Sequence, residues 1–292
     1  MFEQLGLIGC GLMGGSFALA LKRAGLVKRV VGYSKSPSTT ERARQLGVID
    51  VEAPSALLAV SGADLVLLAV PVSASEATFK AIRHLVGANT LVMDVGSTKR
   101  DVVDAARRVL RDNVGVFVPC HPIAGKELSG VEHADADLYT DKQVILTPIE
   151  RTQTVQLQRA VDVWTALGSH VVQMSPQAHD AAFAAVSHLP HLLAFALINA
   201  ITEQSQGKEF MALAGPGFRD FSRIAASDPH MWRDILIANR EELLLQSQLF
   251  QQQLKKFEEA MSAGRGDALE ALIERASETR ANWRISSPKS VR

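Results

Sequence analysis

The sequence LGLIGCGLMG, which spans residues 5–14, decides the fold of the N-terminal half. An apolar, strand-like run leads directly into the pattern Gly-x-Gly-x-x-Gly, and a segment with helical periodicity follows it. In this pattern Gly9 lets the backbone turn sharply, Gly11 leaves room for a pyrophosphate, and Gly14 lets the helix pack close to the strand. The N-terminus of the helix then faces the phosphates. We therefore predict a dinucleotide-binding site formed by Gly9, Gly11, Leu12, Met13 and Gly14.

The end of the second predicted strand bears on which dinucleotide is bound. An NAD site usually has Asp or Glu about twenty residues after the last glycine, where the carboxylate binds the ribose 2'-hydroxyl. Here the strand at residues 29–33 is followed by Ser34 and Lys35, with no carboxylate at its tip. A hydroxyl and an ammonium suit a 2'-phosphate, although a solvated loop end is the alternative. We predict that Ser34 and Lys35 favour NADP, with NAD as the alternative.

Composition points to a globular protein that binds small molecules. Of the 292 residues, 47% are hydrophobic and 21% are charged, and 31 basic residues balance 31 acidic ones. A net charge of zero favours neither nucleic acid nor an anionic membrane as a partner. The start lacks the basic region of a secretory signal, and the most apolar run, residues 189–201, is interrupted by His191 and Asn199. With only two cysteines, the sequence predicts a cytoplasmic protein without disulfide bonds.

The pattern of apolar residues divides the chain into two halves. Strand-like runs alternate with helical segments up to about residue 174, and the last two runs, residues 143–147 and 170–173, are expected to complete the sheet. Beyond that point every periodic segment is helical. We predict an α/β domain with a doubly wound, Rossmann-type, mostly parallel sheet at residues 1–174, an all-α domain at 175–285 and a disordered tail at 286–292.

One predicted helix of the second half, residues 231–261, carries a long apolar stripe. A small helical domain cannot easily bury such a stripe by itself, so we predict a homodimer through this half, with an intramolecular core as the alternative. The stripe consists of Leu236, Leu243, Phe250, Leu254, Phe257 and Met261.

Polar residues that follow strands of the first half are candidates for chemistry, because ligands of doubly wound sheets lie beyond the carboxyl ends of the strands. Pro71, the segment at residues 96–99 and the segment at 120–125 follow such strands, and all three are expected to open towards the nicotinamide end of the cofactor, with Pro71 as a cofactor-binding residue. His121 is the best candidate for a proton acceptor, since imidazole titrates near neutral pH; a structural role is the alternative. Ser97 is expected either to bind a substrate hydroxyl or the nicotinamide amide, or to cap the helix that follows.

The helical half adds a second group of candidates. His188 and His191 stand three residues apart, which places both rings on one helix face. Together with His121 they could form a metal site, but no HExxH pattern or acidic residue accompanies them, so we predict ligand contacts and no metal. Arg223 either binds a substrate carboxylate or pairs with Asp220 on the same helix face.

Five segments in the same order resemble the prephenate dehydrogenase family, with its arogenate and cyclohexadienyl members. Five matching motifs are far more specific than any one of them. The segments are GCGLMGGS at 9–16, DVGSTK at 94–99, HPIAGKELSGVEHA at 121–134, VSHLPHLLAFAL at 186–197 and GFRDFSRIAASDPHMWRDI at 217–235.

The resemblance implies an activity and roles for the residues. The family oxidises and decarboxylates prephenate or arogenate with hydride transfer to NAD or NADP, on the way to tyrosine. His121 would then be the catalytic histidine that binds the ring hydroxyl, Ser97 would orient that hydroxyl, and Arg223 would bind a substrate carboxylate. The family often has Ser or Thr where this chain has Lys126, so the resemblance leaves side-chain selectivity open. The other residues implied at the substrate are His188, His191, Trp232, Glu127 and Lys126.

Two other functions are compatible with the dinucleotide motif. The first is another NADP-dependent dehydrogenase with a helical second domain, of the β-hydroxyacid or imine-reductase type, which would carry a different catalytic group in place of the segment around His121. The second is a non-catalytic dinucleotide sensor that signals through a helical dimer.

Overall fold

A six-stranded parallel sheet forms the centre of the N-terminal half in the computed structural model, which describes residues 1–126 and 128–283. Glu127 and the predicted tail at 286–292 therefore lie outside the described residues. All neighbouring strands are parallel, in the order β3-β2-β1-β4-β5-β6. The predicted doubly wound sheet is confirmed. Its strands are β1 (Phe2–Ile8), β2 (Val27–Tyr33), β3 (Val51–Glu52), β4 (Leu65–Leu68), β5 (Leu91–Asp94) and β6 (Phe117–Val118).

Helices cover both faces of this sheet, because successive side chains of a strand point to opposite faces. Leu65 and Leu67 of β4 pack in one apolar cluster with residues of α1 and α6. Val66 and Leu68 pack in a second cluster with residues of α4 and α5. The helices of this half are α1 (Leu12–Arg23), α2 (Pro37–Gln45), α3 (Ala56–Val60), α4 (Ser75–Ile82), α5 (Arg100–Leu110) and α6 (Thr154–Ala166).

The last strands do not extend the main sheet, so that expectation was wrong. They form a second, three-stranded sheet of β7 (Cys120–Pro122), β8 (Gln143–Leu146) and β9 (His170–Gln173). The change occurs at Pro119, which has no N–H to continue a ladder beside β5; its carbonyl instead accepts a hydrogen bond from the Thr147 amide at 2.9 Å. His121 consequently lies within a strand, opposite Ile145, and not in a loop after β6.

The C-terminal half is helical throughout its described part. Two helices differ from the sequence-based expectation. One of the helical segments expected in this half contains a π-helical turn at Ala184–His188, and the helix expected at 231–261 is broken at Asn239. The helices are α7 (Pro176–Phe183), α8 (Leu189–Thr202), α9 (Gly207–Ala212), α10 (Pro216–Ser222), α11 (Pro229–Ala238), α12 (Arg240–Ser262) and α13 (Gly266–Asn282).

The break at Asn239 has a non-local cause. Its buried side-chain amide donates to the Asp180 carbonyl oxygen at 2.8 Å and to Nδ1 of His188 at 3.0 Å. A continuous helix through residue 239 would redirect this side chain and leave both partners without their donor. The break therefore ties α11 and α12 to α7 and to the π-helical turn.

Polar contacts join the two halves next to one another. The hydroxyl of Ser73, after β4, donates to the Asp234 carboxylate of α11 at 2.5 Å. Arg100, at the start of α5, contacts Glu242 of α12 at 3.3 Å. These contacts lie at the carboxyl ends of the parallel strands, so the helical half stands where a doubly wound sheet binds its ligands.

Large apolar side chains remain exposed on the helical half. Leu254 is 45% exposed and Met261 is 57% exposed, although both belong to the predicted stripe. The continuous helical stretch Pro176–Thr202 is long and apolar enough to cross a membrane by length and composition alone, and only 17% of its most apolar window is buried within the chain. The same stretch carries His179, Asp180 and His188 in buried positions, so these three polar side chains face the protein.

Candidate active site

The three glycines of the loop after β1 differ in what a side chain at each position would contact. A Cβ at Gly9, whose φ is +97°, would lie 2.1 Å from the Ala69 carbonyl oxygen, and one at Gly14 would lie 2.0 Å from the Gly9 carbonyl oxygen. A Cβ at Gly11 would meet nothing within 4 Å. The fold itself thus requires glycine at positions 9 and 14, whereas Gly11 borders open space in front of α1.

That open space suits a pyrophosphate. Helix α1 begins at Leu12 with Gly11 as its N-cap, and its first turn, which includes Met13, contains no acidic residue. A glycine N-cap has no side chain to bind the first amides, so these N–H groups and the positive end of the helix dipole point into the open space. The arrangement fits the phosphates of a dinucleotide.

Ser34 and Lys35 lie beside this loop, at the end of β2. The Ser34 hydroxyl accepts a hydrogen bond from the Cys10 amide at 2.8 Å, and the Ser34 amide donates to the hydroxyl of Thr40 at 3.1 Å. Ser34 therefore fastens the strand tip to the glycine loop, and its hydroxyl still has its own hydrogen to donate. Lys35 is exposed, two residues before the start of α2.

Pro71 borders the loop from the other side. It follows β4 and precedes a short 3₁₀ turn, Val72–Ala74. Ala69, two residues before Pro71, donates its amide to the Ile8 carbonyl at 2.7 Å, and its own carbonyl is the group that excludes a side chain at Gly9. The segment that ends at Pro71 is thus held against the glycine loop.

A buried ion pair connects the end of β5 to the start of β7. The Lys99 ammonium lies 2.5 Å from the Asp94 carboxylate and donates to the Cys120 carbonyl at 2.7 Å. The other Asp94 oxygen accepts from the Cys120 amide at 2.9 Å. Removing one partner of such a pair leaves an uncompensated buried charge. The pair therefore fixes the backbone immediately before His121.

Ser97 lies half-buried in the loop between these two charged residues. It does not cap the helix that follows, and neither does Thr98: α5 begins at Arg100, with Lys99 as its N-cap residue. The amides of Lys99 and Arg100 donate to the carboxylate of Asp180, each at 2.9 Å. The capping alternative was wrong because the cap comes from α7, in the other half of the chain.

His121 is a buried and neutral imidazole. It is 9% exposed, and its Nδ1 lies 2.8 Å from Nε2 of His179. Burial, followed by the nearby His179, Lys99 and His188, holds the pKa of His121 well below its ordinary value of 6.5. At neutral pH the ring therefore has a lone pair available, which is the state that a proton acceptor needs.

His188 and His191 both lie against Trp232. His191 stacks on the indole ring with centroids 3.6 Å apart, and the His188 ring meets it edge-on at 6.1 Å. Burial lowers the pKa of His188 to about 4 and also lowers that of His191. Both rings are thus neutral at neutral pH. Nδ1 of His188 accepts from Asn239 and Nδ1 of His191 donates to the Ser187 carbonyl, so Nε2 of His188 is a donor and Nε2 of His191 is an acceptor.

Arg223 extends this group of side chains. It begins the 3₁₀ turn Arg223–Ala226 after α10 and is exposed. Burial is the main cause that lowers the pKa of His191, and the positive charge of Arg223 acts in the same direction. The carboxylate of Asp220, the alternative partner, receives a hydrogen bond from Arg219 at 3.2 Å.

Ring contacts group His188, Trp232 and His191. The charge of His188 acts on the pKa of His121, and the charge of Arg223 acts on the pKa of His191. We call these five residues the row. It has an imidazole, His121, at one end and a guanidinium, Arg223, at the other.

Lys126 is held by the loop that follows β7. Its ammonium lies 2.9 Å from the Asp135 carboxylate and 3.1 Å from the His133 carbonyl. The Asp135 amide in turn donates to the hydroxyl of Ser16 in α1 at 2.9 Å. These contacts fasten the loop to the dinucleotide-binding helix.

Sequence reasoning missed three buried residues of this region: His179, Asp180 and Asn239. None of the three follows a predicted strand or lies in one of the five segments that resemble the family. The one available signal was a His-Asp pair at the beginning of an apolar helix, where a buried charge needs a partner.

Known proteins share this organisation over most of the chain. The family model for the prephenate dehydrogenase nucleotide-binding domain matches residues 17–173, and the one for the prephenate dehydrogenase dimerization domain matches residues 175–275. Cyclohexadienyl dehydrogenase of Zymomonas mobilis is 36% identical over 92% of this chain and 92% of its own length. Prephenate dehydrogenase of Bacillus subtilis is 38% identical over 84% of this chain, which spans 66% of that enzyme.

A solved structure agrees with these matches. The crystal structure of prephenate dehydrogenase from Aquifex aeolicus, in complex with hydroxyphenyl propionate and NAD+, has a TM-score of 0.90 and 36% sequence identity, and the match covers 96% of this chain and 98% of that one. Both family models, the relatives and the fold lead to the same assignment: the chain belongs to the prephenate dehydrogenase family.

Proposed function

We propose that the protein oxidises prephenate, arogenate or both, with loss of carbon dioxide and transfer of a hydride to a nicotinamide dinucleotide. The products are 4-hydroxyphenylpyruvate or tyrosine. The observation that carries this proposal is the buried, neutral His121 at one end of the row and Arg223 at the other, in a chain whose glycine loop suits a dinucleotide.

The chemistry of this substrate class explains why few catalytic groups are needed. The ring carries a hydroxyl at one pole and a carboxylate at the other. When hydride leaves the hydroxyl-bearing carbon and a proton leaves its oxygen, that carbon becomes a carbonyl. The carboxylate then departs as carbon dioxide, the electrons of the broken C–C bond form the aromatic ring, and the ring oxygen takes a proton back to become the phenol. The protein has to hold the ring in place, accept one proton and bind the carboxylates.

The residues at the two ends of the row and Ser97 divide these tasks. His121 accepts the proton of the ring hydroxyl, and Ser97 orients that hydroxyl. Arg223 binds a carboxylate at the opposite pole through its planar guanidinium. The remaining proposed substrate contacts are His188, His191 and Trp232 along the row, together with Lys126 and Glu127.

The dinucleotide supplies the hydride acceptor when it is bound. In our proposal Gly9, Gly11, Leu12, Met13 and Gly14 surround its pyrophosphate. Pro71 borders the path towards the nicotinamide. We further propose a preference for NADP, because Ser34 offers a hydroxyl hydrogen and Lys35 offers an ammonium where an NAD site would have a carboxylate.

Replacing Lys35 by Ala tests this preference. A lost hydrogen bond to a charged phosphate costs about 1.5 kcal/mol or more, so we expect the KM for NADP to rise roughly tenfold or more while the KM for NAD stays unchanged. Initial rates with each cofactor measure the effect, and Lys142→Ala, which removes another exposed lysine, is the matched control. An equal change in both KM values would contradict the proposed role of Lys35.

We also propose that the two halves divide near residues 174–175, that two chains associate through the helical half, and that the enzyme works in the cytoplasm. The exposed part of the stripe, which consists of Phe250, Leu254 and Met261 on α12, supports the dimer. A second copy would remove that surface from water, at about 25 cal/mol per Å² of apolar area.

A charge placed in the stripe should separate the dimer. Leu254→Asp introduces a carboxylate at a position that is 45% exposed in the single chain, and we expect the mass measured by sedimentation to fall to that of one chain. Leu58→Asp is the matched control, since Leu58 is 52% exposed but lies in the other half. A dimer that survives Leu254→Asp would argue against this interface.

The function itself is tested by initial rates with prephenate and arogenate, each crossed with NAD and NADP. The proposal expects oxidation of at least one of the two substrates, with one carbon dioxide released for each reduced cofactor. Tight cofactor binding without oxidation of either substrate would refute it and favour a dinucleotide sensor.

A further inference from the structure

Three buried polar side chains form a hydrogen-bonded line that begins at the proposed proton acceptor, His121. Nδ1 of His121 lies 2.8 Å from Nε2 of His179, and Nδ1 of His179 lies 2.7 Å from a carboxylate oxygen of Asp180. The three residues are 9%, 0% and 1% exposed, respectively. The line crosses between the two halves of the chain, because His121 lies in β7 and the other two residues lie in α7.

The Asp180 carboxylate at the end of this line is held by more than His179. One oxygen accepts from the Lys99 amide and the other from the Arg100 amide, both at 2.9 Å. Burial alone would raise the pKa of Asp180, but the hydrogen bonds from His179 and these two amides together lower it. Asp180 is therefore ionised at neutral pH, and as an ionised group it can only accept hydrogen bonds.

This single fact determines the protons along the line. Because Asp180 only accepts, Nδ1 of His179 carries a hydrogen, and Nε2 of the neutral His179 ring is then an acceptor. Nδ1 of His121 must therefore be the donor across the 2.8 Å contact. The hydrogen of the neutral His121 ring sits on Nδ1, and its lone pair sits on Nε2.

We propose that His179 and Asp180 are positioning residues that hold His121 in the tautomer whose Nε2 accepts the substrate proton. They also stabilise the positive charge that His121 acquires when the hydroxyl O–H bond breaks and the N–H bond forms at Nε2, since the carboxylate lies one ring away. The inference rests on the proposed function for its catalytic part, whereas the tautomer is a property of the protein alone.

Other charged groups around the line do not replace this role. Lys99 is a permanent cation that opposes a positive charge on His121, and it is itself paired with Asp94. His188 also opposes that charge. For His179, the carboxylates of Asp180 and Asp94 favour the charged ring, and Lys99 opposes it. Of these carboxylates, Asp180 is the one in contact with a histidine of the line.

The pair of variants His179→Phe and His179→Gln separates hydrogen bonding from packing. Phenylalanine keeps a ring against Phe183, on which His179 now stacks at 4.5 Å, but it offers no acceptor to His121. Glutamine offers a carbonyl oxygen as acceptor but cannot carry a charge. We expect His179→Phe to lower kcat by about 10²-fold or more, within the range of general-base catalysis, with unchanged cofactor affinity, and His179→Gln to recover part of the loss.

The matched control is Phe183→Leu, which removes a ring that contacts both histidines and leaves every hydrogen bond of the line in place. Its kcat should stay within a few-fold of the unaltered enzyme. A loss in Phe183→Leu as large as that in His179→Phe would assign the effect to packing and overturn the proposal.

NMR of the histidine ring nitrogens gives a readout that needs no substrate. The unaltered protein should show His121 with hydrogen on Nδ1 and a bare Nε2, and His179→Phe should show a mixture of both tautomers. The signals are assigned by their loss in His121→Asn and His179→Phe, and circular dichroism verifies that each variant folds. His121 with its hydrogen on Nε2 in the unaltered protein would overturn the proposal, and so would full activity of His179→Phe.

These experiments test the proposed function and the positioning role of His179 and Asp180 independently. If the tautomer is as stated but neither prephenate nor arogenate is oxidised, the proposed function falls and the positioning of His121 stands. If oxidation proceeds and the tautomer is reversed, only the positioning role falls.

Discussion

His121→Asn should lower kcat with prephenate or arogenate by about 10²–10⁴-fold, the usual contribution of a general base. Asparagine is smaller than histidine and keeps one polar contact towards His179, but its amide nitrogen and oxygen do not accept a proton near neutral pH. The affinity for NADP should stay the same, because the glycine loop does not depend on this side chain. Steady-state rates and a fluorescence titration with reduced cofactor measure the two quantities.

A matched control distinguishes the loss of a base from the loss of any histidine. His170 is a partly exposed residue of β9 whose ring contacts Asp141 at 3.7 Å, and His170→Asn should leave kcat unchanged. Activity of His121→Asn within tenfold of the unaltered enzyme would show that another group accepts the proton.

Gly11→Val should abolish dinucleotide binding without unfolding the protein. A Cβ at this position meets no atom of the protein within 4 Å, so valine is accommodated by the fold and instead fills the space proposed for the pyrophosphate. The backbone at Gly11, with φ of −75° and ψ of −159°, is accessible to residues with side chains. We expect the Kd for NADP to rise by far more than tenfold, which corresponds to a loss of over about 1.4 kcal/mol in binding free energy. The free energy of unfolding should change by less than about 1 kcal/mol.

Variants of two other glycines serve as controls for the effects on stability and on dinucleotide binding. Gly14→Ala would place a Cβ 2.0 Å from the Gly9 carbonyl oxygen, so it should destabilise the folded protein by about 1–3 kcal/mol or more through overpacking. Gly87→Ala, where a Cβ meets nothing within 4 Å and no dinucleotide is proposed, should change neither stability nor binding appreciably. Normal NADP affinity in Gly11→Val would show that the dinucleotide does not bind at the proposed position.

The main sheet was predictable because its signals are local. The glycine pattern at residues 9–14 and the apolar run of β4 each indicate their structure within a few neighbouring residues, and both were confirmed. The switch to a second sheet was not predictable in this way, since β6 and β7 contain only two and three residues and are separated by one proline. Short strands carry too little periodicity to indicate their partners.

The interior of the site was also beyond sequence reasoning, for a physical reason. Asp180 caps a helix that begins 80 residues earlier in the chain, and Asn239 bonds to groups 51 and 59 residues away. Such contacts exist only after the two halves have packed together, so neither helix propensity nor motif spacing contains them. By contrast, His121 and Arg223 stand in motifs, and a resemblance between motifs carries information about their roles that periodicity lacks.

The central proposal is that His121 and Arg223 act on opposite poles of one substrate. A crystal structure of the protein with NADP and 4-hydroxyphenylpyruvate tests this directly. We expect the phenol oxygen within about 3.2 Å of Nε2 of His121, and the carboxylate of the same molecule on the guanidinium of Arg223. A structure in which these two side chains face separate compartments, with the product touching only one of them, would contradict the account.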